Sequence, residues 1–225
     1  MSIKRGALII LEGVDRSGKT TQSTNLVKTL KNEGEKIELM KLPDRTTETG
    51  KVIDKYLKKE IEMEVHAARL LFAANVWEAV PKITKLVESG TTVVIDRYAY
   101  SGLAYSAALP VGLNFAWCKA SYSGVPRPDL VLFLDISTKD AATRGGFGEE
   151  RYEQTELQSK VSKNYELLRD EDWVTVAAGR TIDEIHQEIK EKTIKTMKEC
   201  AFKPFERKLW PMTNILGGVS PKTFF

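Results

Sequence analysis

The apolar positions along the chain are concentrated in five short, nearly continuous runs. These runs are ALIIL (7–11), IELMKL (37–42), TVVID (92–96), LVLFLDI (130–136) and WVTVA (173–177). Apolar residues at nearly every position, rather than at alternate positions, are typical of strands that are covered on both faces. The pattern therefore predicts five buried strands of a parallel sheet.

The segments between these runs follow the spacing of helices. The predicted helices cover 19–32, 48–59, 63–89, 154–169 and 181–199. Strands that alternate with helices indicate an α/β fold, here a doubly wound five-stranded parallel sheet with helices on both faces. Pro81 lies inside the longest helical pattern, and we expect it to kink or divide that helix.

Three other segments lack this alternation. Residues 109–129 are rich in turn formers, with a short helix expected around Phe115. Residues 137–153 carry glycines at 145, 146 and 148 between charged residues, which predicts a mobile flap that covers a site. Residues 211–225 are neither periodic nor basic, so we interpret 1–210 as one domain and 211–225 as a flexible appended tail.

Composition and charge narrow the class of protein. The 225 residues are 42% hydrophobic and 29% charged, with a net charge of +3, which is ordinary for a globular domain. The sequence contains no basic stripe with interleaved aromatic residues, the pattern that would predict nucleic-acid binding. It also contains no apolar run long enough to predict a membrane span. Two cysteines are too few for a disulfide framework. The expected location is the cytoplasm, and the same features are compatible with the nucleus.

The first predicted strand is followed by Gly13-Val-Asp-Arg-Ser-Gly-Lys-Thr20. This segment fits G-x-x-x-x-G-K-[ST] and lies between a strand and a helix, the context in which backbone N–H groups and a helix N-terminus bind phosphate. Lys19 is expected to reach the outer phosphates of a nucleoside triphosphate, and the hydroxyl of Thr20 is expected to ligate Mg²⁺.

Polar residues also follow the other strands, where open α/β sheets bind their ligands. Asp96 ends the third run and is expected to hold Mg²⁺ or its water shell; a simple ion pair at the strand end is the alternative. Arg97 would face the same crevice and bind phosphate oxygens. Arg45 follows the second run and could bind a second phosphate, although a solvated arginine after a turn gives the same pattern.

The phosphate loop carries Asp15 and Arg16 side by side. A carboxylate that points at phosphate is unfavourable, so Asp15 should face a hydroxyl of a second substrate. Arg16 should face the transferred phosphoryl group as an arginine finger. One loop would then serve a triphosphate donor and a sugar-bearing acceptor. This favours a nucleotide kinase over a GTPase switch, and the guanine-reading motif N-K-x-D is absent from the sequence.

From about Arg5 to Trp210 the chain resembles the thymidylate kinase family, in its eukaryotic and poxviral branch. The resemblance rests on the segments LEGVDRSGKTTQ, LPDRTTETGKVIDKYL, LLFAANVWE, VVIDRYAYSGLAYS, GVPRPDLVLFLD and FGEERYE. It implies phosphorylation of dTMP to dTDP with ATP and Mg²⁺, a homodimer packed through helices, and a lid at 137–153.

The resemblance also implies roles for individual residues. Arg16, Lys19 and Arg97 would be catalytic, Arg16 and Lys19 at the ATP and Arg97 between dTMP and ATP. The residues implied on the ATP side are Gly13, Arg16, Ser17, Gly18, Lys19, Thr20, Thr21, Arg144, Ala178 and Arg180, with Arg144 over the adenine. Thr20 and Asp96 would hold the metal.

On the acceptor side, the resemblance implies that Asp15 accepts the 3′-hydroxyl and that Phe72 stacks on thymine. Tyr105 would exclude a ribose 2′-hydroxyl, and Arg45 and Arg97 would clamp the acceptor phosphate. The full implied set is Asp15, Pro43, Arg45, Leu57, Phe72, Asn75, Val76, Arg97, Ser101, Gly102, Tyr105 and Tyr152. From the residues alone, core packing is the alternative for Phe72 and Tyr105, and solvated charge is the alternative for Arg144 and Arg151.

The chain departs from the family pattern F-x-x-N-R-W, because Val76 stands where the resemblance implies an arginine that binds thymine. A buried base carbonyl without a donor costs about 1–3 kcal/mol. Three explanations are open: a water replaces the guanidinium, Arg69 on the same helix face serves, or the acceptor range is broadened. A non-catalytic nucleotide-binding regulatory protein is the alternative from a different class.

Overall fold

The computed structural model describes residues 4–144, 150–171 and 173–211. Its centre is one sheet of five parallel strands in the order β2-β3-β1-β4-β5. The strands are β1 (Leu8–Glu12), β2 (Ile37–Lys41), β3 (Thr92–Asp96), β4 (Leu130–Asp135) and β5 (Trp173–Ala177). Each observed strand begins and ends within one residue of its predicted run, so the predicted doubly wound sheet is confirmed.

The helices cover both faces of this sheet. They are α1 (Lys19–Asn32), α2 (Glu48–Leu57), α3 (Val65–Glu88), α4 (Ala99–Ala108), α5 (Phe115–Ser121), α6 (Thr138–Ala142), α7 (Thr155–Glu166) and α8 (Ile182–Cys200). The five predicted long helices are present, and α5 is the short helix expected around Phe115. The predictions did not include α4 and α6. Eight of the ten residues of α4 are buried, and a helix that is buried on all sides has no polar face from which its period can be recognised.

Pro81 does not divide α3, which runs from Val65 to Glu88 as one helix. Of the two outcomes expected at Pro81, a kink or a division, the division does not occur. Ala79 and Ile83, on either side of the proline, are both buried in the same hydrophobic cluster. Packing of both halves against one core therefore outweighs the backbone hydrogen bond that proline removes.

Side chains of β1 alternate between two cores, which explains its continuous apolar run. Leu8 and Ile10 pack in the cluster on one face of the sheet, and Ile9 and Leu11 pack in the cluster on the other. Complete burial of each such side chain contributes about 1.5–3 kcal/mol. The sheet is thereby held between two helical layers.

The strand register places the candidate chemistry at one edge. Leu11 of β1 is paired with Asp96 of β3, and Lys41 of β2 is also paired with Asp96. The three segments that leave these strands therefore start side by side. They are the glycine-rich loop at 13–18, the turn at 42–47 and the entry to α4.

The glycines at 145, 146 and 148 of the expected flap, and the tail from 212 onward, lie outside the described residues. None of the helices within the described ranges combines the length and the apolar character that a membrane crossing requires.

Candidate active site

A single cavity of about 530 Å³ opens at the carboxyl ends of β1, β2 and β3. Most of the predicted site residues line it. They are Asp15, Arg16, Gly18, Lys19, Thr20, Thr21, Pro43, Arg45, Leu57, Phe72, Val76, Asp96, Arg97, Ser101, Gly102, Tyr105, Arg144 and Tyr152. Residues that are up to 137 positions apart in the chain thus line the same cavity.

Three predicted residues lie directly behind this wall. The carbonyl oxygen of Gly13 accepts a hydrogen bond from Arg97 at 3.3 Å. The hydroxyl of Ser17 accepts from Lys19 Nζ at 3.1 Å. The carbonyl oxygen of Ala178 accepts from Arg144 Nη2 at 2.9 Å. These three hydrogen bonds position the cationic side chains of Arg97, Lys19 and Arg144.

Asn75 and Arg180 are not among the residues that line the cavity, so the contacts that the resemblance implies for them stay predictions. Asn75 is buried, and its side chain binds both backbone groups of Asp44 at 2.7 and 3.1 Å. It therefore fixes the turn that carries Arg45 instead of facing a ligand. Arg180 is exposed and forms an ion pair with Glu188, which draws its guanidinium toward α8.

The phosphate loop has the backbone that its glycines predict. Gly13 and Gly18 have φ angles of 147° and 101°, in the region that disfavours side chains. A Cβ at Gly13 would lie 2.7 Å from the carbonyl oxygen of Leu134. Arg16 also has a positive φ, 63°, a conformation that a non-glycine residue adopts at a cost and that is common at ligand sites.

Lys19 is almost completely buried beneath this loop. Its Nζ donates to the carbonyl oxygen of Val14 at 2.6 Å. Burial, together with the positive charge of Arg97, lowers the pKa of Lys19 to about 7. An anion bound at the loop would counteract both effects and favour the charged form.

Thr20 and Asp96 form the candidate metal site. The hydroxyl of Thr20 donates to Oδ2 of Asp96 at 2.5 Å. The other carboxylate oxygen, Oδ1, is buried without a hydrogen-bond partner among the described residues. No cluster of three or more His, Cys, Asp or Glu side chains that could hold a metal occurs in the described part of the chain. A hydroxyl, one carboxylate and the phosphates of a nucleotide are nevertheless the ligand set that Mg²⁺ takes at nucleotide sites.

Asp15 and Arg16 point to different partners. Asp15 forms an ion pair with Arg97 and accepts from Gln158 Nε2 at 2.6 Å. Burial raises the pKa of Asp15, but the charges of Arg97 and Lys19 outweigh it, so the pKa lies below its ordinary value. Arg16 Nη2 lies 3.0 Å from Glu153. The two neighbouring side chains of the loop therefore have different partners, and the roles that the sequence predicts for them stay predictions.

Each arginine predicted to bind phosphate is paired with a carboxylate in this structure. The pairs are Arg16 with Glu153, Arg45 with Asp54 and Glu150, and Arg97 with Asp15. Glu150 and Glu153 belong to the segment predicted as the lid. Two of the three arginines, Arg16 and Arg45, are therefore paired with carboxylates of this segment.

Sequence reasoning missed several residues of this site. Glu12 is completely buried at the end of β1 and accepts from Tyr98 N, Ser101 N, Ser101 Oγ and Tyr165 Oη at 2.6–3.1 Å. A carboxylate at the end of an otherwise apolar run was the available signal. Gln158, Tyr122, Glu150 and Glu153 had no comparable signal, because their partners are distant in the sequence.

The acceptor side predicted from the resemblance is lined by aromatic rings. Phe72 and Val76 of α3 face the same cavity as Tyr105 of α4 and Tyr152. Arg69, the alternative considered for Val76, lines this wall as well, with its guanidinium 4.6 Å from the centre of the Phe72 ring. Core packing alone therefore does not describe Phe72 or Tyr105.

The sequence model of the thymidylate kinase family matches residues 11–189 of the chain. The chain is 46% identical over 194 residues to the thymidylate kinase of Danio rerio, covering 85% of this chain and 91% of that protein. It is 43% identical over 213 residues to the thymidylate kinase of Homo sapiens, covering 93% and 100%.

Comparison of the fold with solved structures also finds a thymidylate kinase. A solved structure of the thymidylate kinase from Candida albicans superposes with a TM-score of 0.77 at 36% identity and covers 86% of this chain and 94% of that one. That report attributes to the Candida enzyme a broad substrate specificity and a novel structural element. With the phosphate loop and the cavity that it opens into, these matches show that the chain belongs to the thymidylate kinase family, the kinases that use ATP to phosphorylate dTMP to dTDP.

Proposed function

We propose that this cavity holds ATP and dTMP at the same time and that the γ-phosphoryl group passes directly between them. One observation carries the proposal: a single cavity joins Lys19 and Thr20 of the phosphate loop to Phe72 and Tyr105 of the aromatic wall. A site for phosphates and a site for a flat base thus open into one space. Positioning and charge neutralisation account for most of the catalysis in such transfers.

On the donor side, Lys19 would neutralise charge on the outer phosphates, and Arg16 would stabilise the charge that develops during transfer. Arg144 would lie over the adenine, and its hydrogen bonds to the carbonyl oxygens of Arg16 and Ala178 at 2.8 and 2.9 Å support this role because they hold it beside the phosphate loop. Thr20 and Asp96 would hold Mg²⁺. When bound there, Mg²⁺ would supply positive charge that offsets the charge of the phosphates.

On the acceptor side, Arg45 and Arg97 would bind the phosphate of dTMP, with Arg97 reaching the ATP as well. Arg97 is buried, donates to Ser101 Oγ at 3.2 Å and lies 5.5 Å from the centre of the Tyr105 ring. Asp15, held by Gln158, would accept the 3′-hydroxyl of the sugar. Phe72 would stack on the base.

The alternatives are not favoured. A regulatory protein that merely binds a nucleotide has no need of a second, aromatic compartment with its own arginines. A broadened acceptor range rested on the missing guanidinium at Val76, and the cavity contains another guanidinium, that of Arg69.

We also propose a homodimer packed through α3. Leu70 and Trp77 lie seven residues apart on this helix and are 51% and 39% exposed, so they share one face. Sedimentation of the protein, compared with Leu70→Glu, tests the assembly: the variant should sediment as a monomer.

A cytoplasmic location agrees with two buried, free cysteines, Cys118 and Cys200.

The test of the function is ADP release with Mg–ATP and each of dTMP, dUMP, dCMP, dGMP and UMP, with a reaction lacking acceptor as the blank. We expect release that depends strongly on dTMP. Lys19→Met should abolish it, whereas Arg207→Met, at an exposed arginine paired with Glu171, should not. Release that is the same with and without any acceptor would contradict the proposal.

A further inference from the structure

Arg69 is a buried cation in the wall of the acceptor compartment. It is 4% exposed, and it lines the cavity together with Phe72 and Val76. Its guanidinium lies 4.6 Å from the centre of the Phe72 ring and 4.9 Å from that of Tyr152. Two aromatic rings therefore hold the group in place, as in cation–π contacts.

The hydrogen-bonding capacity of this guanidinium is mostly unused. Nη2 donates to the hydroxyl of Tyr152, and Nε is buried without a partner among the described residues. Within those residues Arg69 has no ion-pair partner, although Arg16, Arg45 and Arg97 of the same cavity each have a carboxylate. An arginine carries five N–H donors and no acceptor, and burying such a charge without a partner is costly. A ligand that brings acceptors would remove this cost.

A second unused polar group lies in the same wall. Tyr122 is 2% exposed and lines the cavity, and its hydroxyl makes no hydrogen bond to the residues that the structure describes. Burial raises the pKa of Tyr122, with the charge of Arg69 acting in the opposite sense. The hydroxyl is therefore protonated and, unlike the guanidinium, can both donate and accept.

We propose that Arg69 is the residue that selects the base of the acceptor, by donating to the 4-oxo oxygen of thymine, with the Tyr122 hydroxyl as its second contact at the base edge. The proposal rests on the assignment of this compartment to dTMP. Thymine presents an acceptor at position 4, whereas cytosine presents an amino donor there. A donor-only guanidinium satisfies the first base and opposes the second.

The geometry of α3 supports this assignment. Arg69, Phe72 and Val76 stand at positions i, i+3 and i+7 and therefore share one face of the helix. Val76 has no donor to offer a base that lies on Phe72. Arg69 supplies the cation from the same face two turns earlier, and its long side chain reaches the ring of Phe72. The compartment thus keeps a donor to the base without an arginine at position 76.

The first test needs no variant. We would measure kcat/KM of the protein for dTMP and for the analogue whose base is 2-pyrimidinone, which lacks the 4-oxo group. A charge-assisted hydrogen bond is worth about 1.5–3 kcal/mol, so the analogue should be poorer by between about 10- and 150-fold. Equal kcat/KM for the two acceptors would overturn the proposal.

The second test compares Arg69→Met and Arg69→Lys with Arg151→Met. Arg151 is the matched control because it lies 4.2 Å from the centre of the Tyr56 ring and does not line the cavity. In Arg69→Met the ratio of kcat/KM for dTMP over dCMP should fall by about 10- to 150-fold, and Arg69→Lys should recover part of it. Arg151→Met should leave the ratio unchanged.

The readout separates a specific role from a structural one. Loss of a structural contact would lower kcat/KM for both acceptors alike, so an unchanged ratio in Arg69→Met would contradict the proposal. Should that variant fail to fold, the analogue measurement on the unmodified protein still decides. A protein that phosphorylates no dTMP at all contradicts the proposed function itself, whereas dTMP kinase activity with an Arg69-independent preference contradicts only this inference.

Discussion

Arg16 of the phosphate loop and Glu153 of the lid segment form an ion pair, with Nη2 and Nε at 3.0 and 3.1 Å from the same carboxylate oxygen. Arg16 is one-third exposed, and Glu153 is nearly buried. A partly exposed pair of this kind contributes little to stability. Its effect is to join the loop to the predicted lid through the guanidinium that we propose to contact the transferred phosphoryl group.

Arg16→Met should lower kcat by about 10³–10⁵-fold, the range found for arginine fingers, while the Kd for ATP changes little. Single-turnover kinetics and equilibrium ATP binding separate the two quantities. Glu153→Gln removes the competing charge and should leave kcat within about tenfold of the unmodified protein. Equal losses of ATP affinity and kcat in Arg16→Met would assign Arg16 to ground-state binding instead.

ATP binding should be linked to protonation of Lys19. The pKa of the free group is about 7 because of burial and the nearby Arg97, and bound phosphate should raise it. Above pH 7 the free lysine is mostly neutral, so binding takes up a proton there and weakens by as much as about tenfold per pH unit. Well below pH 7 the lysine is already charged, and no uptake is expected.

Isothermal titration of Mg–ATP in two buffers of different ionisation enthalpy, at about pH 6 and about pH 8.5, measures this uptake. The uptake should approach one proton only at the higher pH. Lys19→Met supplies the background from the nucleotide itself. The same uptake at both pH values, or in the variant, would contradict the assignment to Lys19.

The extent to which the sequence predicted this site depends on how far apart the partners lie in the chain. The conformation of residues 13–20 could be predicted from the local sequence, because it depends on the backbone freedom of glycine and on the helix that follows. The pair of Asp15 with Gln158 joins positions 143 residues apart, and that of Arg16 with Glu153 joins positions 137 apart. Such contacts depend on the order of strands and on how α7 and the lid pack over β1.

Two other differences have physical causes of the same kind. Asn75 is a typical polar side chain for a ligand contact, but in the folded chain its amide is hydrogen-bonded to the backbone N–H and C=O of Asp44. The helix α4 was not predicted because its residues are buried all round, between α7, α5 and α3. Both outcomes are determined by neighbours that only the folded chain brings together.

Glu12 should stabilise the fold that carries this site. Its carboxylate accepts from two backbone N–H groups and from the hydroxyls of Ser101 and Tyr165. Glu12→Gln replaces one acceptor oxygen with an amide donor and removes the charge, so the free energy of unfolding should fall by about 1–3 kcal/mol. Urea denaturation measures the change.

The matched control is Glu33→Gln, at a half-exposed glutamate that pairs with Lys190 on the surface. The loss there should stay within about 1 kcal/mol. If Glu12→Gln proves no more damaging than Glu33→Gln, the buried network around Glu12 is not a source of stability.

Gly102 is the position where the wall of the acceptor compartment tolerates no side chain. A Cβ there would lie 2.0 Å from Oη and 2.5 Å from Cζ of Tyr122. Gly102→Ala should therefore lower the free energy of unfolding by about 1–3 kcal/mol, the cost of overpacking a core, and raise KM for dTMP because Tyr122 must move. Gly179→Ala, where an added Cβ meets nothing within 4 Å, controls for the loss of glycine.

Tyr122→Leu in the Gly102→Ala background should restore stability, since leucine lacks the end of the ring, but not the KM. Urea denaturation and steady-state kinetics on the four proteins would contradict this account if the double variant were no more stable than Gly102→Ala.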